Sequence, residues 1–338
     1  MVNVTHSPIL RRVQEYAISQ PKKMALIWRD QIVSYEQLWN QILTAAASLQ
    51  GRGLIPGDCV GIVANKGLDF VYLYFGAQLI GVVNVILDPE ANESRRDYIR
   101  ALVKPKLVVD AFEYSGLVEP MPVSGLSQDD TADIVFTTGT TGAPKGVLLT
   151  HFNIYSSAAN INGYIGNGPN EVEALGLPLC HSFGLGRLRC SLLQGATLVV
   201  LPSFANIKVF FAAIEKYHVS GFGMVPAIWA YIKKFSGTRI SKYALQIKYI
   251  EIGSAAMPIE SKKELCALFP TTRICHHYGL TEASRAAFME YHACFDDLQT
   301  IGKEVSDRVS IKIFDESGQE LPTGKSGEIC ISGNMVMK

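Results

Sequence analysis

The stretch richest in chemistry is Asp133-Ile-Val-Phe-Thr-Thr-Gly-Thr-Thr-Gly-Ala-Pro-Lys-Gly-Val147. An apolar run ends at Thr137. Hydroxyls then follow at Thr138, Thr140 and Thr141, interleaved with Gly139, Gly142 and Gly146, with one lysine, Lys145. Glycine lets backbone amides approach an anion and take φ values closed to other residues. Consecutive amides form anion-binding concavities, hydroxyls add donors, and lysine supplies a mobile positive charge. The loop is chemically suited to triphosphate. It is not a Walker A loop, because Pro144 stands where that motif's second glycine belongs.

Three further segments carry reactive groups. Cys275-His-His-Tyr-Gly-Leu-Thr-Glu-Ala283 offers an aromatic face, a hydroxyl and a carboxylate. A tyrosine face stacks on any base, and carboxylate oxygen suits Mg²⁺ when phosphates and water complete the shell. Taken alone, Thr281-Glu282 reads equally as a capped helix start. Gly253-Ser-Ala-Ala-Met-Pro258 follows a predicted strand and has small residues throughout. By itself it is also an ordinary strand-to-helix turn, with Pro258 near the helix start. Leu177-Pro-Leu-Cys-His-Ser-Phe-Gly-Leu185 places His181 on an apolar segment. An imidazole there can donate to a carboxylate, although a lone histidine of this kind is more often a packed residue.

In this order the segments resemble those of the acyl-adenylate-forming superfamily, which comprises acyl- and aryl-CoA ligases, luciferases and adenylation domains. The match is nearest to the acyl-CoA ligases. The resemblance implies that Thr137, Thr138, Gly139, Thr140, Thr141, Gly142 and Lys145 grip the ATP phosphates. It implies that Gly253, Ser254 and Ala255 border the adenine, that Tyr278 stacks on it, that His277 and Gly279 also bind ATP, and that Thr281 contacts the α-phosphate. Glu282 would hold Mg²⁺. The catalytic set would be His181, Thr281, Glu282 and Lys145. An acid pocket would be built from His181, Phe183, Met224, Ala256, His277 and Ala283. No Asp or Glu lies between Leu177 and Arg187. Amino-acid adenylation domains usually carry an aspartate there, so the resemblance favours an acid without an α-amino group. The implied activity is ATP-dependent formation of an acyl-adenylate, then a thioester with coenzyme A. Transfer to an acyl carrier protein and a non-catalytic acyl- or nucleotide-binding role are the alternatives.

These segments need rigid elements behind them, and the pattern supplies them. Buried strands are predicted at Cys59–Ala64, Val82–Ile86, Leu107–Val109, Asp133–Thr137, Ala174–Leu177, Thr197–Leu201, Gly221–Val225, Lys248–Ile252 and Arg273–His276. Helical patterns lie between several of them, including 69–80 and 93–102. Strands alternating with helices argue for parallel sheets covered on both faces. The fold expected is α/β: two doubly wound, mainly parallel sheets in a layered αβαβα arrangement, plus part of a small β-barrel. Residues 1–55 would join the second sheet. Residues 56–170 would form the first subdomain with the phosphate loop 137–146. Residues 171–292 would form the second, and 293–338 the partial barrel. Turn-rich residues 113–132 read as an exposed link. In the tail, 310–314 and 327–332 alternate around a turn at 315–318, as a hairpin does. Because the resemblance stops before the ribose-binding aspartate, hinge and small mobile domain of this family, a lid-less fragment with weak activity is expected.

Composition narrows the alternatives. The 338 residues are 48% hydrophobic, and 31 Lys+Arg balance 31 Asp+Glu. A nucleic-acid binder would usually show a basic excess. Seven cysteines without a C-x-x-C pair, and histidines without an H-E-x-x-H pattern, argue against a disulfide framework and a protein-only zinc site. With no secretory h-region and no apolar run of about 20 residues, a transmembrane segment is not expected, and a cytoplasmic location is.

Overall fold

The structure is a computed structural model describing residues 4–112, 119–137 and 143–338. Its larger sheet has nine strands in the order β14-β13-β12-β11-β10-β8-β9-β1-β2. These are β1 (Met24–Trp28), β2 (Gln31–Ser34), β8 (Val172–Leu175), β9 (Thr197–Val200), β10 (Gly221–Met224), β11 (Tyr249–Ile252), β12 (Arg273–Tyr278), β13 (Ala287–Glu290) and β14 (Lys303–Glu304). The run from β1 through β9, β8, β10 and β11 to β12 is parallel, and β2, β13 and β14 add antiparallel edges. The second sheet has the order β5-β3-β4-β6-β7. Its strands are β3 (Cys59–Val63), β4 (Val83–Leu87), β5 (Leu107–Val109), β6 (Thr131–Thr137) and β7 (Lys145–Thr150), with β7 alone antiparallel. The expected α/β class and its parallel sheets are observed.

Between the sheets lies the helix Leu68–Leu79, in which every residue but Asp69 is buried. A helix apolar all round belongs in the interior. Its Gly76 meets the helix Tyr35–Gly51 so closely that a Cβ would stand 2.8 Å from Ala45 Cβ. A buried polar cluster joins the five-stranded sheet to two helices. Asp133 of β6 accepts from Tyr74 Oη (2.8 Å), Gln78 Nε2 (3.1 Å) and Asn84 Nδ2 (3.1 Å), and pairs with Arg189 of the helix Ser182–Gln194. A buried carboxylate is tolerable only when so satisfied.

Several expectations change. The link expected over 113–132 is shorter, because Thr131 and Ala132 already belong to β6, and residues 113–118 lie outside the described residues. The strand expected at Ala174–Leu177 is Val172–Leu175. It stops where Gly176 packs under Phe204, leaving a Cβ only 2.5 Å from that ring. The strands β1, β2, β7 and β13 were not anticipated. In the tail, the expected hairpin appears as β15 (Val309–Phe314) antiparallel to β16 (Glu328–Gly333), a two-stranded sheet, while β14 joins the large sheet instead. Among the described residues no helix is long and apolar enough to cross a membrane.

His151 gives the fold a measurable acid sensitivity. It opens the helix His151–Ile165 behind the Thr150 cap and packs edge-on against His6, with ring centroids 4.9 Å apart. Burial, with help from His6 and Arg189, pushes its pKa down to about 3. The unfolded chain therefore takes up a proton here below about pH 6.5 that the folded chain refuses. Stability is full above that value and falls as the pH drops. Between pH 7 and pH 5 the loss is about 2 kcal/mol. Urea unfolding at both pH values should show His151→Phe losing about that much less than the parent chain. Equal losses would refute it.

Candidate functional site

In open α/β sheets, ligands bind beyond the carboxyl ends of parallel strands. Here β6 ends at Thr137, β8 before Gly176, β11 before Gly253 and β12 before Gly279. Beyond them lie three cavities, of about 780, 660 and 620 Å³.

The 660 Å³ cleft is lined by Thr137 and Lys145 on the five-stranded sheet and by His181, His277, Thr281 and Glu282 on the other side. The loop residues Thr138, Gly139, Thr140, Thr141 and Gly142 lie outside the described residues. The Glu282 segment is tied to β7 and the helix that follows it through residues 334–338. Met337 N–H donates to Glu282 O (2.8 Å), Lys338 N–H to Leu148 O (3.2 Å), and Asn153 Nδ2 to Asn334 O (2.9 Å).

The 620 Å³ cavity adjoins this cleft, sharing Ser254, His277 and Gly279 with it. Ala255, Ala256 and Tyr278 line it, giving an aromatic wall beside nearly bare backbone. Two non-glycine residues here take left-handed backbone conformations, Ser254 (φ 68°) and Arg285 (φ 56°). Such conformations cost energy and concentrate at functional sites. Gly279 is obligatory, since a Cβ would stand 2.3 Å from Arg285 N.

The paired histidines differ in role. His276 is scaffolding: its Nε2–H donates to Ala255 O (3.1 Å), and its Nδ1 accepts from Tyr291 Oη (2.8 Å). Burial pushes its pKa down to about 4, so it stays neutral and holds the 255 turn in place. His277 lies between the cleft and the adjoining cavity, edge-on to Phe183 (4.7 Å). Its Nδ1 is 2.8 Å from Glu251 Oε1, a close polar contact rather than a well-aligned hydrogen bond.

Glu251 was not singled out from sequence, yet it organises this wall. It accepts from Arg285 Nε (2.8 Å) and Arg187 Nη1 (2.9 Å). Arg187 also donates to Glu173 (2.6 Å), which accepts from Ser191 Oγ and Tyr249 Oη, both at 2.8 Å. Two arginines thus balance two carboxylates. Burial alone would push Glu251 up, but Arg285 and Arg187, with His277, hold it below the usual carboxylate range. For His277 burial dominates over the attraction of Glu251, and its pKa is lowered. A neutral imidazole then faces the ligand space. A signal for this network existed: Glu173 and Glu251 each interrupt an otherwise apolar strand, and a buried acid must be paired.

His181 stands at the start of the helix Ser182–Gln194 and borders both the 660 and 780 Å³ spaces. Of the other acid-pocket candidates, Phe183 lines the cleft and Ala256 the 620 Å³ cavity. Met224 and Ala283 are buried and line none of the three. Met224 closes β10 inside the sheet core, and Ala283 is turned into a bridge with Val336.

A family model described as AMP-binding enzyme matches residues 13–119 and 111–338. The chain belongs to the AMP-binding enzyme family. Among its relatives, 4-coumarate–CoA ligase-like 9 of Arabidopsis thaliana is 29% identical over 344 residues, 90% of this chain and 60% of that protein. The chain thus spans about three fifths of such relatives. Among solved structures, o-succinylbenzoate CoA synthetase (MenE) from Bacillus subtilis, in complex with the acyl-adenylate intermediate OSB-AMP, superposes with a TM-score of 0.85. It is 25% identical, covering 97% of this chain and 70% of that one. The inhibitor-bound N-terminal domain of FACL13 from Mycobacterium tuberculosis gives a TM-score of 0.87 at 22% identity, over 98% and 90% of the two chains, a likeness of fold.

Proposed function

We propose that this site activates a carboxylic acid with Mg-ATP, giving an acyl-adenylate and pyrophosphate, and that the acyl group then passes to the thiol of coenzyme A. The observation carrying the proposal is the shared cleft. Thr137 and Lys145, at the two ends of the threonine- and glycine-rich loop, face Thr281 and Glu282 across it, with the Tyr278 cavity on one side and His181 on the other. Relatives named as CoA ligases support the acceptor.

The residues present fit a magnesium nucleotide. Tyr278, Ala255 and Ala256 provide an aromatic face and a nearly bare backbone wall for a purine. Glu282 supplies carboxylate oxygen, and Mg²⁺ bound there would take its other ligands from phosphates and water, adding positive charge beside the triphosphate. Thr137, Thr281 and Lys145 would donate to phosphate oxygens, and His181 would orient the acid. The carboxylate oxygen forms a bond to the α-phosphorus, the bond to the β-phosphate oxygen breaks, and pyrophosphate leaves. The nucleophile belongs to the substrate, so the protein's part is alignment and charge stabilisation.

Pyrophosphate exchange into ATP, run with a panel of carboxylic acids, tests this. One or more acids should support exchange, and Glu282→Gln should slow it by about 10²–10³ and raise the Mg²⁺ concentration needed. Exchange that is indifferent to both would sink the proposal, as would failure of the chain to bind ATP.

A further inference from the structure

The 780 Å³ cavity is not absorbed by the nucleotide. It is of a size that encloses a small ligand, and it runs from His181 and Cys180 to Lys66. We propose that it holds an elongated ligand bearing an anionic group at the end remote from His181, with Lys66 as the anchor for that anion. The inference rests on the proposed function, since it takes His181 as the place of the reacting carboxyl.

Lys66 follows β3 of the small sheet, and its ammonium donates to Gly176 O beyond β8 of the large one. That uses one of three N–H donors. Among the described residues no carboxylate lies within ion-pair distance of it. Half-buried cations normally find a counter-charge, because desolvating an unpaired charge is costly. The cost is visible here: burial pushes Lys66 down to about 8.

The acids in the same wall do not supply the missing charge. Asp88 Oδ1 accepts from the Glu90 backbone N–H (2.9 Å), and the Asp88 carboxylate bears on the Cys180 thiol, which burial, followed by this acid, pushes up to about 12. A second cation, Arg29, also lines the space, its guanidinium 5.2 Å from the Trp28 ring centroid. Phe204 and Ile228 make part of the wall apolar, and Tyr231 spends its hydroxyl on Ala205 O (2.7 Å). The ligand that fits is therefore a carbon chain with an anion at its far end. A dicarboxylic acid has that form, with one carboxyl at His181. So does a thiol arm ending in phosphate.

Calorimetry on the full chain separates the sources. Pimelate is compared with heptanoate, and coenzyme A with pantetheine, for the parent chain, Lys66→Met and Lys66→Gln. ATP titrated into each variant reports folding. One anionic probe should bind about tenfold or more tighter than its partner. That advantage should vanish in Lys66→Met and Lys66→Gln while ATP affinity is unchanged. The pair showing it identifies the acid or the acceptor as the anion's source. Failure of either pair to discriminate in the parent chain, or discrimination surviving both substitutions, overturns the inference. Lys66→Gln, which keeps a donor for Gly176, decides the matter if Lys66→Met loses ATP binding. If the parent chain binds no ATP, it is the proposed function that fails.

Discussion

Replacing Glu251 by alanine should cost about 3–5 kcal/mol of folding free energy, the range for removing one partner from a buried ion network. The reason is arithmetic of charge. Arg187 and Arg285 sit opposite Glu173 and Glu251 in a region closed to solvent. Without Glu251, Arg187 retains Glu173, but Arg285 keeps only neutral partners: Ser284 Oγ (3.1 Å), the carbonyls of Ser182 (3.2 Å) and Phe183 (2.9 Å), and the Phe183 ring, 4.9 Å away. One positive charge is left buried and uncompensated. Glu251→Gln should lose less, because the amide oxygen still accepts. The same network sets a pH dependence. The folded Glu251 carboxyl is held below the usual range, so its contribution is present above about pH 4.5 and is lost as the pH falls below it. Urea midpoints at pH 7 and pH 4 measure both effects. A Glu251→Ala chain within about 0.5 kcal/mol of the parent, the scatter of ordinary surface substitutions, would show that the network is not a structural element.

The parallel strands were legible because each is a short apolar run closed by turn residues, which is how a strand buried on both faces reads. The β1–β2 hairpin was not. Its turn is Arg29-Asp30, with Arg29 at φ 56°, a left-handed position that sequence signals would assign to glycine or asparagine. Strand β7 was hidden because Lys145 and Gly146 read as the tail of the phosphate loop, although they pair with Thr137 and Phe136. In the site, Lys145, Thr281 and Glu282 were legible as local polar clusters, and the fold brings them to one cleft. Glu251, Arg187 and Arg285 were not, because partners 34 to 64 residues apart become a network only in three dimensions. Met224, which the resemblance puts in the acid pocket, is fully buried at the end of β10 and lines none of the three cavities.

Gly253→Ala should abolish most nucleotide affinity while leaving the chain folded. The Cβ it adds would stand 2.0 Å from both Cε1 and Nε2 of His277, far inside contact distance. Neither side yields easily. The imidazole is fixed by the Phe183 edge and the Glu251 carboxylate. Gly253 is anchored by its N–H to Met224 O (3.3 Å) and leads into Ser254, already at a costly φ. The strain must pass into the Ser254–Ala256 turn, which forms one wall of the Tyr278 cavity. Misplacing bound groups by about 1 Å costs on the order of 10²-fold in rate, so pyrophosphate exchange should fall by about that much, and calorimetry with ATP should show the lost affinity. Gly163→Ala is the control, since a Cβ there meets nothing within 4 Å. A double substitution makes the cause testable. If the ring collision is responsible, Gly253→Ala added to His277→Ala should cost far less than Gly253→Ala alone, a coupling that non-contacting sites do not show. Additive losses would mean that the glycine matters through its backbone and not through the space it leaves for His277.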